Sequence, residues 1–156
     1  MGMFNAQPQL DQKFVEAIIA DGDRSRRSIE KAAAKNQGAI PSLMEEGESL
    51  AAITHGEGAN EILLITNRRL LRVKRGKLSW RAIPLGEVFE SNVSFRDLGG
   101  GTVKYMLVVE TFTSKEYAEG DQRRYLPDHF LLVDYGNPRE AKAVCSIIDL
   151  MKGQLG

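Results

Sequence analysis

One cysteine and two histidines in 156 residues exclude several kinds of chemistry at the outset. Cys145 has no partner for an internal disulfide. His55 and His129 stand too far apart in sequence, and too far from Cys145, to form a Cys/His zinc spacing. No run of about 18 apolar residues occurs, so no transmembrane segment is expected. The opening stretch MGMFNAQPQLDQKF has neither a basic n-region nor an apolar core of signal-peptide length. With a lone cysteine and no signal, the expected compartment is the cytoplasm. Net charge is also missing, since 21 Lys and Arg balance 21 Asp and Glu. That balance excludes wholesale attraction to nucleic acid or acidic lipid and leaves only local patches to consider.

Motifs for cofactors and metals are incomplete. Asp21 and Asp23 begin like a calcium loop, but Ala32 occupies the twelfth position, where a bidentate Glu is needed. LGGGTVKY has three glycines without a following Lys-Ser/Thr, and it reads as a hairpin turn rather than a phosphate cradle. Cys145 falls on the docking stripe of a helix, His55 ends a strand, and His129 follows Asp128 at the start of another. No motif brings base, nucleophile and oxyanion donors together, so a catalytic role is not expected, nor is a cofactor. Arg24, Arg26 and Arg27 form a basic cluster, but Asp21, Asp23 and Glu30 balance it and no aromatics interleave; a nucleic-acid partner is not expected.

The residues that are present divide the chain in three. Leu10, Phe14, Ala17 and Ile18 share one helical face, and that helix stops near Asp21-Gly22. A second helix, capped by Asp23 and ended by Gly38, carries a thin apolar stripe of Ile29, Ala32 and Ala33. Ile40-Pro41 is expected to break the helical pattern before a Glu-rich link. Strands are predicted at 50–55, 61–66, 69–74, 77–83, 87–97, 103–113 and 129–135, with a longer loop from Ser114 to Asp128. Seven antiparallel strands suit a small barrel or sandwich. A last helix follows, with Asn137 as cap, Pro138 in the first position and Glu140 placed for a capping box. Ala141, Val144, Ile148, Met151 and Leu155 form its docking stripe, and Gly153 ends it.

Between positions 68 and 81 lie seven basic residues and no acid. Two-residue turns at Asn67-Arg68 and Arg75-Gly76 fix the register by counting. Ile62 then pairs with Val73, Leu64 with Leu71, Val73 with Leu78 and Leu71 with Trp80, a face assigned to the core. The other face carries Glu61 opposite Lys74, Lys74 opposite Lys77, Arg72 opposite Ser79 and Leu70 opposite Arg81. Arg72, Lys74, Arg75, Lys77 and Arg81 are the candidate contacts to an anion or partner. Leu63, Ile65 and Leu70 gather on the same outer face, an apolar contact to be covered by Leu10, Phe14 and Ile18 of the first helix or by another subunit.

The phrase LLITNRRLLRVKRGKLSWRAIPLGEV resembles the bacterial pleckstrin-homology-like domain family. Leu63, Thr66, Arg69, Leu70, Ile83, Pro84, Leu85 and Val88 match its pattern of L-x-x-T-x-x-R-L, a strand, and I-P-L-x-x-[IV]. The resemblance covers roughly residues 42–153. It implies a mostly β (α+β) domain: a seven-stranded, partly open barrel of two near-orthogonal antiparallel sheets, capped by a C-terminal helix. The expected organisation is thus an N-terminal helical extension over 1–41 and this domain over 42–156. The fold hosts lipid, peptide and self-association sites alike. Phosphoinositide-binding relatives carry basic residues on the first two strands, whereas SLAAITHGEGANEILL has Glu57 and Glu61 and no Lys or Arg. The leading expectation is therefore a non-catalytic module binding a protein, or itself as an oligomer, through the sheet's outer face and edges. The alternative is weak peripheral binding of an anionic lipid headgroup at the inner membrane surface through the basic 72–77 turn.

Overall fold

The computed structural model describes residues 9–56, 58, 60–79, 82–111, 131–135 and 138–155. The chain begins with α1 (Gln12–Ala17) and α2 (Asp23–Asn36), and a 3-10 turn (Gln37–Ala39) leads into α3 (Ile40–Leu43). Five short strands follow: β1 (Leu50–His55), β2 (Glu61–Thr66), β3 (Arg69–Lys74), β4 (Lys77–Leu78) and β5 (Ile83–Pro84). A second group is β6 (Val88–Gly99), β7 (Thr102–Thr111) and β8 (Leu131–Tyr135), and α4 (Pro138–Gly153) closes the order. The first three predicted strands and the start of the last helix fall where the patterning put them. The expected cap Asn137, the loop from Ser114 to Asp128, and His129 lie outside the described residues.

Several local expectations are corrected. Gly22, at φ 103°, caps α2, a conformation open to glycine, and Asp23 is the first helical residue. Pro41 does not break the helix, because near the start of α3 its missing N–H is one no helical carbonyl needs. The predicted strand 77–83 is split into β4 and β5, and Leu70 pairs with Ile83 instead of residue 81. The slip is two residues, so parity survives. Leu155 lies beyond α4 and is exposed.

All described pairings within the two sheets are antiparallel. One sheet has the order β1-β2-β3-β4, with β5 also on β3; the other is β6-β7-β8. Among the described residues no pairing joins the two into a closed barrel, and helix and strand contribute about equally, so "mostly β" is corrected to a mixed α/β architecture.

The predicted register of the first sheet holds: Glu61 faces Lys74, Ile62 faces Val73, Leu64 faces Leu71 and Val73 faces Leu78. Arg75 and Gly76, at φ 54° and 77°, make the two-residue turn whose twist matches the flanking strands. What differs is the cover. Every residue of β2 is buried, so the sheet has two dry faces. Ile53, Ile62, Leu64, Leu71 and Val73 pack under Phe14, Ile18, Ile29, Ala33 and Ile40 of the N-terminal segment. Leu63, Ile65 and Leu70 pack instead with Ile83, Leu85, Val88, Leu107, Val109 and the α4 residues Ala141, Val144 and Ile148.

The two faces are therefore exchanged relative to expectation. The first helix covers the face read as the barrel interior, and the supposed outer patch is the interior shared by both sheets and α4. The small Ala32 and Ala33 let α2 lie close to the sheet, which is why a thin stripe suffices. Leu78 is 40% exposed rather than core, because β4 ends there and neither cluster extends over it. Trp80 and Arg81 lie outside the described residues. Beyond α1, Ile18 bridges Ile53 in parallel and the Ile19 N–H donates to the Ile53 carbonyl at 2.9 Å, attaching the helical segment to the β1 edge.

Candidate functional site

Among the described residues, three polar clasps hold the buried charge. In the first, Arg69 grips Glu48 with Nε at 2.9 Å and Nη2 at 2.5 Å, and Nη2 also reaches the Leu43 carbonyl at 2.9 Å. Thr66 donates to Glu48 at 2.6 Å and accepts the N–H groups of Arg68 and Arg69 at 3.0 and 2.8 Å. The Thr66 hydroxyl thus folds the β2–β3 turn while the guanidinium ties it to the segment before β1. Burial alone would push the Glu48 carboxyl up; the bonds from Arg69, Thr66 and the Glu45 N–H, with the Arg69 charge, bring it down to about 2. Arg69 is held correspondingly high, chiefly by its bond to Glu48.

In the second clasp Arg72 reaches Glu61 at 3.2 Å across the β2–β3 ladder. Glu61 also accepts the Ser79 hydroxyl in a short bond and the Gly58 N–H at 3.1 Å. Arg72 is consequently a mostly buried member of an ion pair and not part of an open cationic surface.

The third clasp joins α2, β1 and α4. Glu140, 3% exposed, accepts the Asp21 N–H at 2.6 Å and the Ser25 hydroxyl at 2.7 Å, with His55 Nε2 3.2 Å away. Ser25 Oγ lies 2.9 Å from the same Nε2. Burial tends to raise the Glu140 carboxyl, but hydrogen bonds from His55, Ser25 and the Asp21 backbone outweigh it and hold the group below the usual range. Serine, histidine and carboxylate meet here, yet both partners address one ring nitrogen. A Ser-His-acid relay places them on opposite nitrogens, whereas the contacts here converge on Nε2 and tie α2, β1 and α4 together. Neither Ser25 nor the meeting of His55 with Glu140 was read from the sequence, because the three positions approach only when α4 docks. Burial also pushes the Cys145 thiol on that helix up, away from the reactive thiolate.

The remaining candidate cations mark one end of the first sheet. Arg75 and Lys77 are exposed at the β3–β4 turn and Lys74 is half-buried. The Gly76 N–H donates to Asn36 Oδ1 at 2.8 Å, and Asn36 Nδ2 donates to the carbonyls of Ala32 and Asn60 at 2.8 and 3.0 Å. This buried asparagine, unnoticed in the sequence, holds the turn, the end of α2 and the β1–β2 connection together. Lys35 donates to Asn60 at 2.9 Å, and a Cβ on Gly58 would lie 3.5 Å from Lys74 Nζ. The structure thus gathers Lys35 and Lys74 around that connection, with Arg75 and Lys77 at the turn. Leu63, Ile65 and Leu70 cannot meet an outside partner, being at most 1% exposed.

The most exposed apolar surface lies elsewhere. Among the described residues β6 and β7 are the longest strands and extend past β8, whose described pairings run over Tyr105–Val109. Val93 faces Leu107 at the edge of the buried cluster. One pair further along the same face, Phe95 opposite Tyr105 is 70% exposed, followed by Val103 at 39%, with Leu98 near the tip at 49%. Gly99, Gly100 and Gly101 all take positive φ in the turn, bearing out the hairpin reading of LGGGTVKY. Among the described residues the apolar face of the second sheet therefore runs out of the body along an exposed ribbon. Strand length was the available signal: about 11 residues span roughly 36 Å, longer than the other strands can accompany.

Comparison with protein-family models, curated proteins and solved structures finds no match for this chain.

Proposed function

We propose that the chain is a non-catalytic binding module of pleckstrin-homology-like architecture, which contacts another protein or itself through sheet edges and the projecting β6–β7 ribbon. The carrying observation is Phe95: a large aromatic 70% exposed on a face continuous with the core. The family reading is supported by the motif's division of labour. Leu63, Leu70, Ile83, Leu85 and Val88 lie in one buried cluster, whereas Thr66 and Arg69 build the turn clasp with Glu48. Two antiparallel sheets followed by one helix agree with it. The test is capture from host extract on immobilised wild-type chain and on Phe95→Asp, with bound proteins identified by mass spectrometry. Proteins retained by the wild type and lost with the variant support the reading, and retention indifferent to Phe95 refutes it.

A second reading has its own support. Lys74, Arg75 and Lys77, with Lys35 close by, gather cations at one end of the first sheet, suited to an anionic lipid headgroup. Liposome flotation checks it.

A further inference from the structure

The β6–β7 ladder pairs like charges at both ends of one face. Glu90 stands directly opposite Glu110, and Arg96 directly opposite Lys104. Each like-charge pair opposes folding by a small amount. Neither Glu90 nor Arg96 has an ion-pair partner among the described residues. A ribbon acidic at one end and basic at the other is its own complement once turned end for end.

β6 is also the outer strand of its sheet, and among the described residues nothing pairs with its second edge. Glu90, Asn92, Ser94 and Arg96 are all exposed along it. The ladder is irregular between Val88 and Glu90 and again between Asp97 and Gly99, and Lys152 Nζ reaches the Phe89 carbonyl at 3.2 Å. The regular free edge therefore begins at Glu90. It contains no proline and no bulge, two of the usual guards of an exposed edge.

We infer that this edge pairs with the same edge of a second copy, antiparallel about a two-fold axis at Val93. The inference rests on the binding-module reading and names its partner. A two-fold axis normal to a continuous sheet keeps each side chain on its own face, so a residue can meet only one of like parity. Among the allowed registers, the one centred on Val93 sets Glu90 beside Arg96 of the second copy, twice per dimer. A centre at Asn92 or Ser94 leaves both charges facing neutral residues, and a centre at Phe95 sets Arg96 beside Ser94. In the chosen register Val93 meets its own mate, and Phe95 lies next to Ser91 of the other chain, losing part of its exposure to water. The main-chain hydrogen bonds that the described residues leave open along β6 supply the remaining attraction.

Sedimentation velocity on the full chain tests this with two charge reversals, Glu90→Arg and Arg96→Glu. The wild type is expected to dimerise reversibly at micromolar concentration. Each reversal alone replaces two attractions by two repulsions and should weaken the dimer roughly 30-fold. The equimolar mixture of the two variants should dimerise again, since one chain then carries both cations and the other both anions. Each reversal also removes a like-charge pair within the ribbon, so the monomers should melt at or slightly above the wild-type temperature, which separates lost pairing from lost folding. A wild type that stays monomeric, reversals that leave the dimer intact, or a mixture that fails to restore it would each overturn the inference. A monomeric chain that still retains Phe95-dependent proteins from extract removes only the second copy; a monomeric chain that retains none removes the binding module as well.

Discussion

Replacing Glu48 by glutamine removes one charge from a fully buried side chain and leaves its shape in place. The folded carboxyl titrates at about 2 against an ordinary value of 4.5. Unfolded chains therefore bind more protons between those two values, and stability rises with pH across that window. The contribution is complete above the ordinary value and is lost as pH falls through the folded one. A difference of about 2.5, at about 1.36 kcal/mol per pH unit, amounts to about 3 kcal/mol. Glu48→Gln should lose about that much near neutrality, because Arg69 is then left in its enclosed position with a neutral acceptor. In urea, with a slope of about 1–3 kcal/mol per molar, the midpoint should fall by about 1–3 M. The assay is far-UV circular dichroism through urea unfolding at a series of pH values from neutral down into the carboxylate range. The gap between wild type and variant should narrow steadily on the acid side. Some acid sensitivity should remain in the variant, since Glu140 is also held low by its partners. Two curves that stay parallel throughout would refute the clasp as the source of this stability.

Two further outcomes are expected. Leu63→Ala and Leu64→Ala should each cost about 2–5 kcal/mol despite lying on opposite faces of β2, whereas Leu78→Ala should cost less than about 1 kcal/mol; urea unfolding of the three variants compares them directly. If the basic turn meets anionic headgroups, changing Lys74 and Lys77 to Glu should abolish flotation with acidic vesicles, since each basic residue near such a surface contributes about 1 kcal/mol. Flotation unchanged by the pair would refute the lipid reading.

Two other features bear on how the fold is assembled. The Glu48–Arg69–Thr66 clasp spans the segment between α3 and β1 and the β2–β3 turn, so it couples the N-terminal part to the first sheet. The Glu140 clasp couples α4 to both α2 and β1. A buried cluster likewise joins residues on both sides of the expected boundary near residue 41. Helices and sheet therefore share one interior on that side.

Local chemistry made much of this readable in advance. Arg75-Gly76 between alternating strands fixed a two-residue turn and with it the Val73–Leu78 pair, while the turn at Asn67-Arg68 fixed the Ile62–Val73 and Leu64–Leu71 pairs. Pro138 and the stripe of Ala141, Val144 and Ile148 marked α4. The continuous apolar run Ile62-Leu63-Leu64-Ile65 is the local signal of a strand covered on both faces, since four successive buried residues require cover on each. Residues such as Glu48, read as part of a polar link, and Asn36, unnoticed at the end of α2, gave no local sign of their partners 21 and 40 positions away.

By itself, then, the sequence determined which residues alternate, where the chain reverses and which side chains share a face, because these depend on dihedral preference and a period of two or 3.6 residues. Only the tertiary structure decided which dry face the N-terminal helices took and which the second sheet and α4 took. It also decided that Ser25, His55 and Glu140 meet, and that Phe95 stays outside. Those outcomes depend on which distant surfaces fit together, and hydrophobic burial, being non-directional, leaves that choice to the packing of the whole chain.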